Sequence, residues 1–121
     1  HLDQRLVENR RALEIAHAWP MAHVYYADTL CRLGRTEEAW PSYEKGFVLG
    51  PNDRSLVALG LQCLWDHGAV ESRSPALVTL ADEHPGTWLA WLCRDIVANG
   101  KTNGGVDKKY RPRGYDEGPG E

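Results

Sequence analysis

A chain of 121 residues fits one domain and is long enough to bury roughly two thirds of its unfolded surface in a real core. Its composition, 42% hydrophobic and 26% charged, is that of a folded globular domain, and no apolar run approaches the roughly 18 residues of a membrane helix. The net charge of -3 argues against nucleic acid as the main partner, because phosphate binding needs a basic surface.

The first helical segment is expected over residues 3–18, where Leu6, Leu13 and Ala16, with Val7, Ala12 and Ile15 beside them, recur at helical spacing. Trp19-Pro20 breaks it, since the residue before a proline avoids the helical region and proline suits a helix start. A second helix runs from about Met21 to Leu33 and ends at Gly34, a left-handed cap position. Thr36 is the expected cap of a third, Glu37 to Leu49. Pro41 should kink it or loosen its first turn. After Gly50-Pro51, Asn52 or Asp53 caps a fourth helix, Arg54 to His67, closed by Gly68. Residues 69–73 read as loop, and Ser74-Pro75 as the start of a shorter fifth helix that ends near Glu83. His84-Pro85-Gly86 is the next stop, and a sixth helix covers about Thr87 to Asn99. From Gly100 onward glycine, proline and mixed charge replace apolar periodicity, which divides the chain into a helical domain, 1–100, and an extended tail, 101–121.

Several of these landmarks share one interval. Gly34 and Gly68 are 34 residues apart, as are Leu30 and Leu64, and Pro51 and Pro85. A helix–turn–helix unit of this length resembles the tetratricopeptide repeat. The match is carried by Ala27, Leu30, Gly34, Ala39, Tyr43, Gly46 and Pro51, and LGRTEEA is typical of that family. It is strong over residues 20–53 and fair over 54–87. Residues 3–19 look like the closing half of a preceding unit, and Trp88 to Asn99 like the opening half of a following one. There Arg94 and Asp95 replace the usual packing residues, as on a capping helix whose outer face meets water. The resemblance implies an all-α, right-handed solenoid of antiparallel helix pairs, about six helices in all, whose first helices line a concave groove.

On that expectation the groove is lined by Met21, Val24, Tyr25, Asp28, Cys31 and Arg32 from the second helix. Ser55, Ala58, Leu59, Gln62, Trp65 and Asp66 follow from the fourth, and Leu89, Leu92, Cys93 and Ile96 from the sixth. Some members of the family clamp a C-terminal carboxylate with basic groove residues. The matching positions here, Val24, Asp28, Leu59, Leu89 and Cys93, carry no base, so that ligand is not expected. Among five tryptophans, Trp19, Trp88 and Trp91 should pack between units, Trp40 in the core or at its rim, and Trp65 is the best interface anchor. In the tail, Lys108, Lys109, Arg111 and Arg113 interleave with Tyr110 and Tyr115, a pattern suited to an acidic partner surface or to RNA.

Chemistry leaves a thinner trace. Cys63 and His67 stand four apart on one helical face, two ligands where a tetrahedral metal site needs more, and no CxxC, GxSxG, Walker glycine loop or HExxH occurs. No catalytic residue, metal or cofactor is therefore expected. The expected function is that of a scaffold or adaptor that holds a peptide or helix in the groove and touches a partner chain of a larger assembly through the tail. The alternative is a regulatory or substrate-recruiting fragment of a larger enzyme. The chain opens on His1 without an initiator Met, which points to a fragment, a processed product or a partly built chain, and leaves location open. Three cysteines are too few and too odd for a disulfide framework, so a reducing compartment, the cytoplasm first, is the expected setting.

Overall fold

The computed structural model describes residues 1–100 and 107–113. Six helices follow one another: α1 (Leu2–Ile15), α2 (Pro20–Arg32), α3 (Thr36–Leu49), α4 (Arg54–Asp66), α5 (Val70–Glu83) and α6 (Trp88–Asn99), and a 3-10 turn spans Lys108–Tyr110. There is no strand among the described residues, and none of the helices is long and apolar enough to cross a membrane.

The backbone repeats in strict register. Helices α1, α3 and α5 begin at residues 2, 36 and 70, and α2, α4 and α6 at 20, 54 and 88, each 34 residues after the last. The stops repeat as well. Ala16, Gly50 and His84 close α1, α3 and α5 with nearly the same backbone angles, and each donates its N–H four residues back, to Ala12, Gly46 and Leu80. Gly34 and Gly68 have φ of +80° and +67°, the left-handed region where a side chain is disfavoured. Each lets its own N–H and the next one reach back over the helix end: Gly34 N to Cys31 O and Arg35 N to Leu30 O, then Gly68 N to Trp65 O and Ala69 N to Leu64 O. This paired closure satisfies carbonyls that the end of a helix leaves open.

Two starts differ from expectation. Thr36 is the first residue of α3 rather than its cap, and Arg35 precedes it and pairs with Glu38 at 2.6 Å. Helix α5 begins at Val70, so residues 69–73 are not a loop and Pro75 lies inside the helix. A proline at the sixth helical residue deprives only a first-turn carbonyl of its partner. Burial of Val70 and an ion pair from Arg73 to Glu37 at 2.7 Å hold that first turn in place. Pro41 occupies the same sixth place in α3, which runs through it unbroken from Thr36 to Leu49. At α4 the cap is Asp53, which accepts from Leu56 N at 3.0 Å. Its neighbour Asn52 accepts from Trp88 N at 3.2 Å and so ties the α3–α4 turn to the start of α6.

Packing does not repeat as the backbone does. Helices α2 and α3 form a tight pair and so do α5 and α6, while α4 leans on α2 and α6 and scarcely touches α5. The cause is side-chain size. Ala27, Ala39 and Gly46 are small and buried between α2 and α3. One period later the same places hold Leu61, Arg73 and Leu80, which keep α4 and α5 apart. The core continues through Tyr43 and Phe47, stacked with ring centroids 6.1 Å apart, and Phe47 lies against Gly60 of α4.

Candidate functional site

Side chains that stay exposed although large and apolar are the first sign of a partner surface. On α2 and α4 these are Tyr25, 46% exposed, Leu59, 40%, and Trp65, 47%. Tyr25 and Leu59 occupy equivalent places one period apart. Trp19, expected between units, is instead exposed, and its ring meets Tyr25 edge-on at 6.2 Å. Trp65 lies across Gly100, where an added Cβ would come within 2.8 Å of the indole. Its placement therefore depends on a glycine at the end of α6.

Polar residues on the same helix faces are paired with one another. Arg32 Nε donates to Asp28 Oδ2 at 3.0 Å, and Gln62 Nε2 donates to Asp66 Oδ1 at 2.8 Å. Asp28 also closes a cleft of about 280 Å³ with Arg5, Asn9, Tyr25 and Thr29, where α1 meets α2. In that cleft Thr29 donates to Asn9 at 2.7 Å. A second cleft, of about 230 Å³, is lined by Trp65, Gly68, Val70 and Glu71.

Several expected groove residues are not available at the surface. Val24 is fully buried, because it fills the space that Gly46 leaves on α3. Cys31, Leu89, Leu92, Cys93 and Ile96 are buried too, and Met21 is half-buried. The lining that remains is Tyr25, Asp28, Arg32, Leu59, Gln62, Trp65 and Asp66, with Ser55 exposed beside them and Met21 and Ala58 half-buried. The other tryptophans divide as follows. Trp91 is buried, Trp88 lies under Arg54 at 4.7 Å, and Trp40 is buried with Arg73 over its ring at 5.5 Å.

The cysteines sit in the core. Burial, then a hydrogen bond to Asp28, pushes the Cys63 thiol up to about 12, and burial does the same for Cys93. The Tyr43 hydroxyl lies 3.7 Å from Cys31 Sγ, and burial raises the phenol and this thiol as well. Thiols so protonated are poor nucleophiles. His67 caps α4 from the exposed side while Cys63 points inward, and among the described residues no group of three or more His, Cys, Asp or Glu is arranged to hold a metal.

The tail segment was expected to reach a partner, and its central residue faces the other way. Tyr110 is only 6% exposed. Its hydroxyl donates to Asp82 Oδ1 of α5 at 2.9 Å, and Arg94 of α6 and Lys109 lie over its ring at 4.5 and 4.9 Å. Arg113 N donates to Gly86 O at 3.0 Å, and Pro112 is buried. Lys109 and Arg113 stay exposed and Arg111 is half-buried; the side chain of Lys108 and all of Tyr115 lie outside the described residues. The face of α6 expected to meet water is covered instead. Asp95 is fully buried and accepts from Asn99 at 2.7 Å, while Arg94, over the Tyr110 ring, pairs with Asp82. The Tyr110 hydrogen bond, then Arg94, holds the Asp82 carboxyl below the usual carboxylate range.

Residues that close the tail onto the domain were legible only in part. Tyr110 stood out as an aromatic among cations, but Asp82 gave no signal in its own helix. Comparison with known proteins adds nothing to this geometry: no protein-family model, no curated protein and no solved structure matches the chain.

Proposed function

We propose that the chain is a protein–protein interaction module, a scaffold or adaptor built as a right-handed solenoid of tetratricopeptide type. It binds a peptide or helix of a partner along the strip formed by Tyr25, Asp28, Arg32, Leu59, Gln62, Trp65 and Asp66. The observation that carries this reading is the exposure of Tyr25, Leu59 and Trp65 on helices whose other large apolar residues are buried or half-buried. Aromatic anchors set among paired polar groups suit a partner that is itself amphipathic, since the rings supply area at little entropic cost and the polar pairs set register. The strict 34-residue register of the helices supports the repeat architecture.

Substitution of both anchors, Tyr25→Ala and Trp65→Ala, tests the strip. The double variant should keep its helical circular dichroism and lose binding to a partner that the native chain retains. Equal retention by both chains contradicts the reading.

A further inference from the structure

The segment Asp107–Arg113 is a peptide seated on a receptor surface. Its anchor is Tyr110, buried with its hydroxyl on Asp82 and its ring under Arg94. Pro112 is buried beside it, and Arg113 N reaches the carbonyl of Gly86 in the turn between α5 and α6. Three kinds of recognition therefore converge within seven residues: an apolar ring, a side-chain acceptor and a backbone acceptor. The acceptors belong to α5 and to the α5–α6 turn, which are complete without the segment. Only the seven residues 100–106 lie between it and the end of α6 at Asn99.

We propose that the edge formed by α5, α6 and the turn at Gly86 is a binding site for a basic Tyr-Arg-Pro segment, filled here in cis and open in trans to the same segment of a second copy of this chain. A second copy carries the matching sequence, KKYRPR, so every contact in cis can be remade between two chains. A short tether gives the cis segment an effective concentration in the millimolar range. At micromolar protein the site is therefore closed, and exchange begins only when the cis segment is defective or its release is favoured. This surface is separate from the strip on α2 and α4.

The test uses the full chain and a synthetic peptide of residues 107–113, followed by amide NMR. The native chain should show no saturable shifts at submillimolar peptide. The tail variant Tyr110→Ala with Pro112→Ala should show saturable shifts around Asp82, Gly86 and Arg94. Adding Asp82→Ala to that variant should weaken the peptide about tenfold, the usual consequence of losing one hydrogen bond to a charged acceptor. Mixing the tail variant with full chain carrying Asp82→Ala and Arg94→Ala, whose tail is intact, should give a 1:1 complex in sedimentation at high concentration. The proposal is overturned if the peptide leaves the tail variant unshifted, or if it shifts the native chain equally. It is also overturned if the mixture stays monomeric, or if the tail variant loses its helicity, since the site then has no existence apart from its occupant.

Discussion

Gly60 shows how much a single atom matters in this core. A Cβ at this position would meet Phe47 Cε1 at 2.5 Å and Cζ at 2.6 Å, closer than packed atoms approach. Alanine favours a helix over glycine by about 1 kcal/mol, but overpacking costs about 1–3 kcal/mol. Gly60→Ala should therefore destabilise the fold by about 1 kcal/mol, read as a lower urea midpoint. A second residue-scale prediction concerns pH. Cys63 and Cys93 keep their protons up to about 12 in the folded chain, whereas a freely solvated thiol loses its proton near 9.0. Between those values the folded state holds more protons than the unfolded one, so stability is complete below pH 9 and falls as pH rises towards 12. Unfolding free energy measured across that window should decline, and the decline should shrink in Cys63→Ala and Cys93→Ala. The same protonation predicts that neither thiol reacts appreciably with a thiol reagent at pH 8 until the chain is unfolded.

Between elements, the contrast lies between one pair of helices that close and another that splay. Ala27, Ala39 and Gly46 admit a tight α2–α3 crossing; Leu61, Arg73 and Leu80 forbid it for α4–α5. Ala27→Leu should force α2 from α3 and cost about 1–3 kcal/mol by overpacking, while Leu61→Ala should leave a void and cost about 2–5 kcal/mol. Denaturant titrations of the two variants separate these cases. Both losses are expected although the residues exchanged are the same, because each pair is packed for its own side chains. This is also where sequence reading reached its limit. Gly34, Gly68 and the cap at Asp53 mark turns by local chemistry, so most starts and stops are legible in the chain. Which helix leans on which depends on pairs of distant residues, and similar backbone turns do not reveal it. Pro75 misled for a related reason: a proline signals a helix start strongly, but burial of Val70 and the long-range Arg73–Glu37 pair carry α5 back through it.

At the scale of the molecule, six helices in one register leave an aromatic strip on α2 and α4 and a covered edge on α5 and α6. The strip was partly legible, since the repeat resemblance implied a groove face that carries Tyr25, Leu59 and Trp65. Val24 was misplaced because its burial follows from Gly46 on another helix. The tail reads as an arm for a partner because its cations interleave with tyrosines, a pattern suited to an acidic partner surface. Tyr110 instead makes its contacts in cis, 16 or more residues away in sequence, on Arg94 and Asp82. With Tyr110 seated on its own domain, the strip on α2 and α4 is the surface we propose for a partner. The most direct measurement is the recovery of partner chains by the native protein and by the Tyr25→Ala, Trp65→Ala variant, purified side by side and quantified. The account predicts a defined partner that the native chain retains and the helical variant loses; equal recovery from both would contradict it.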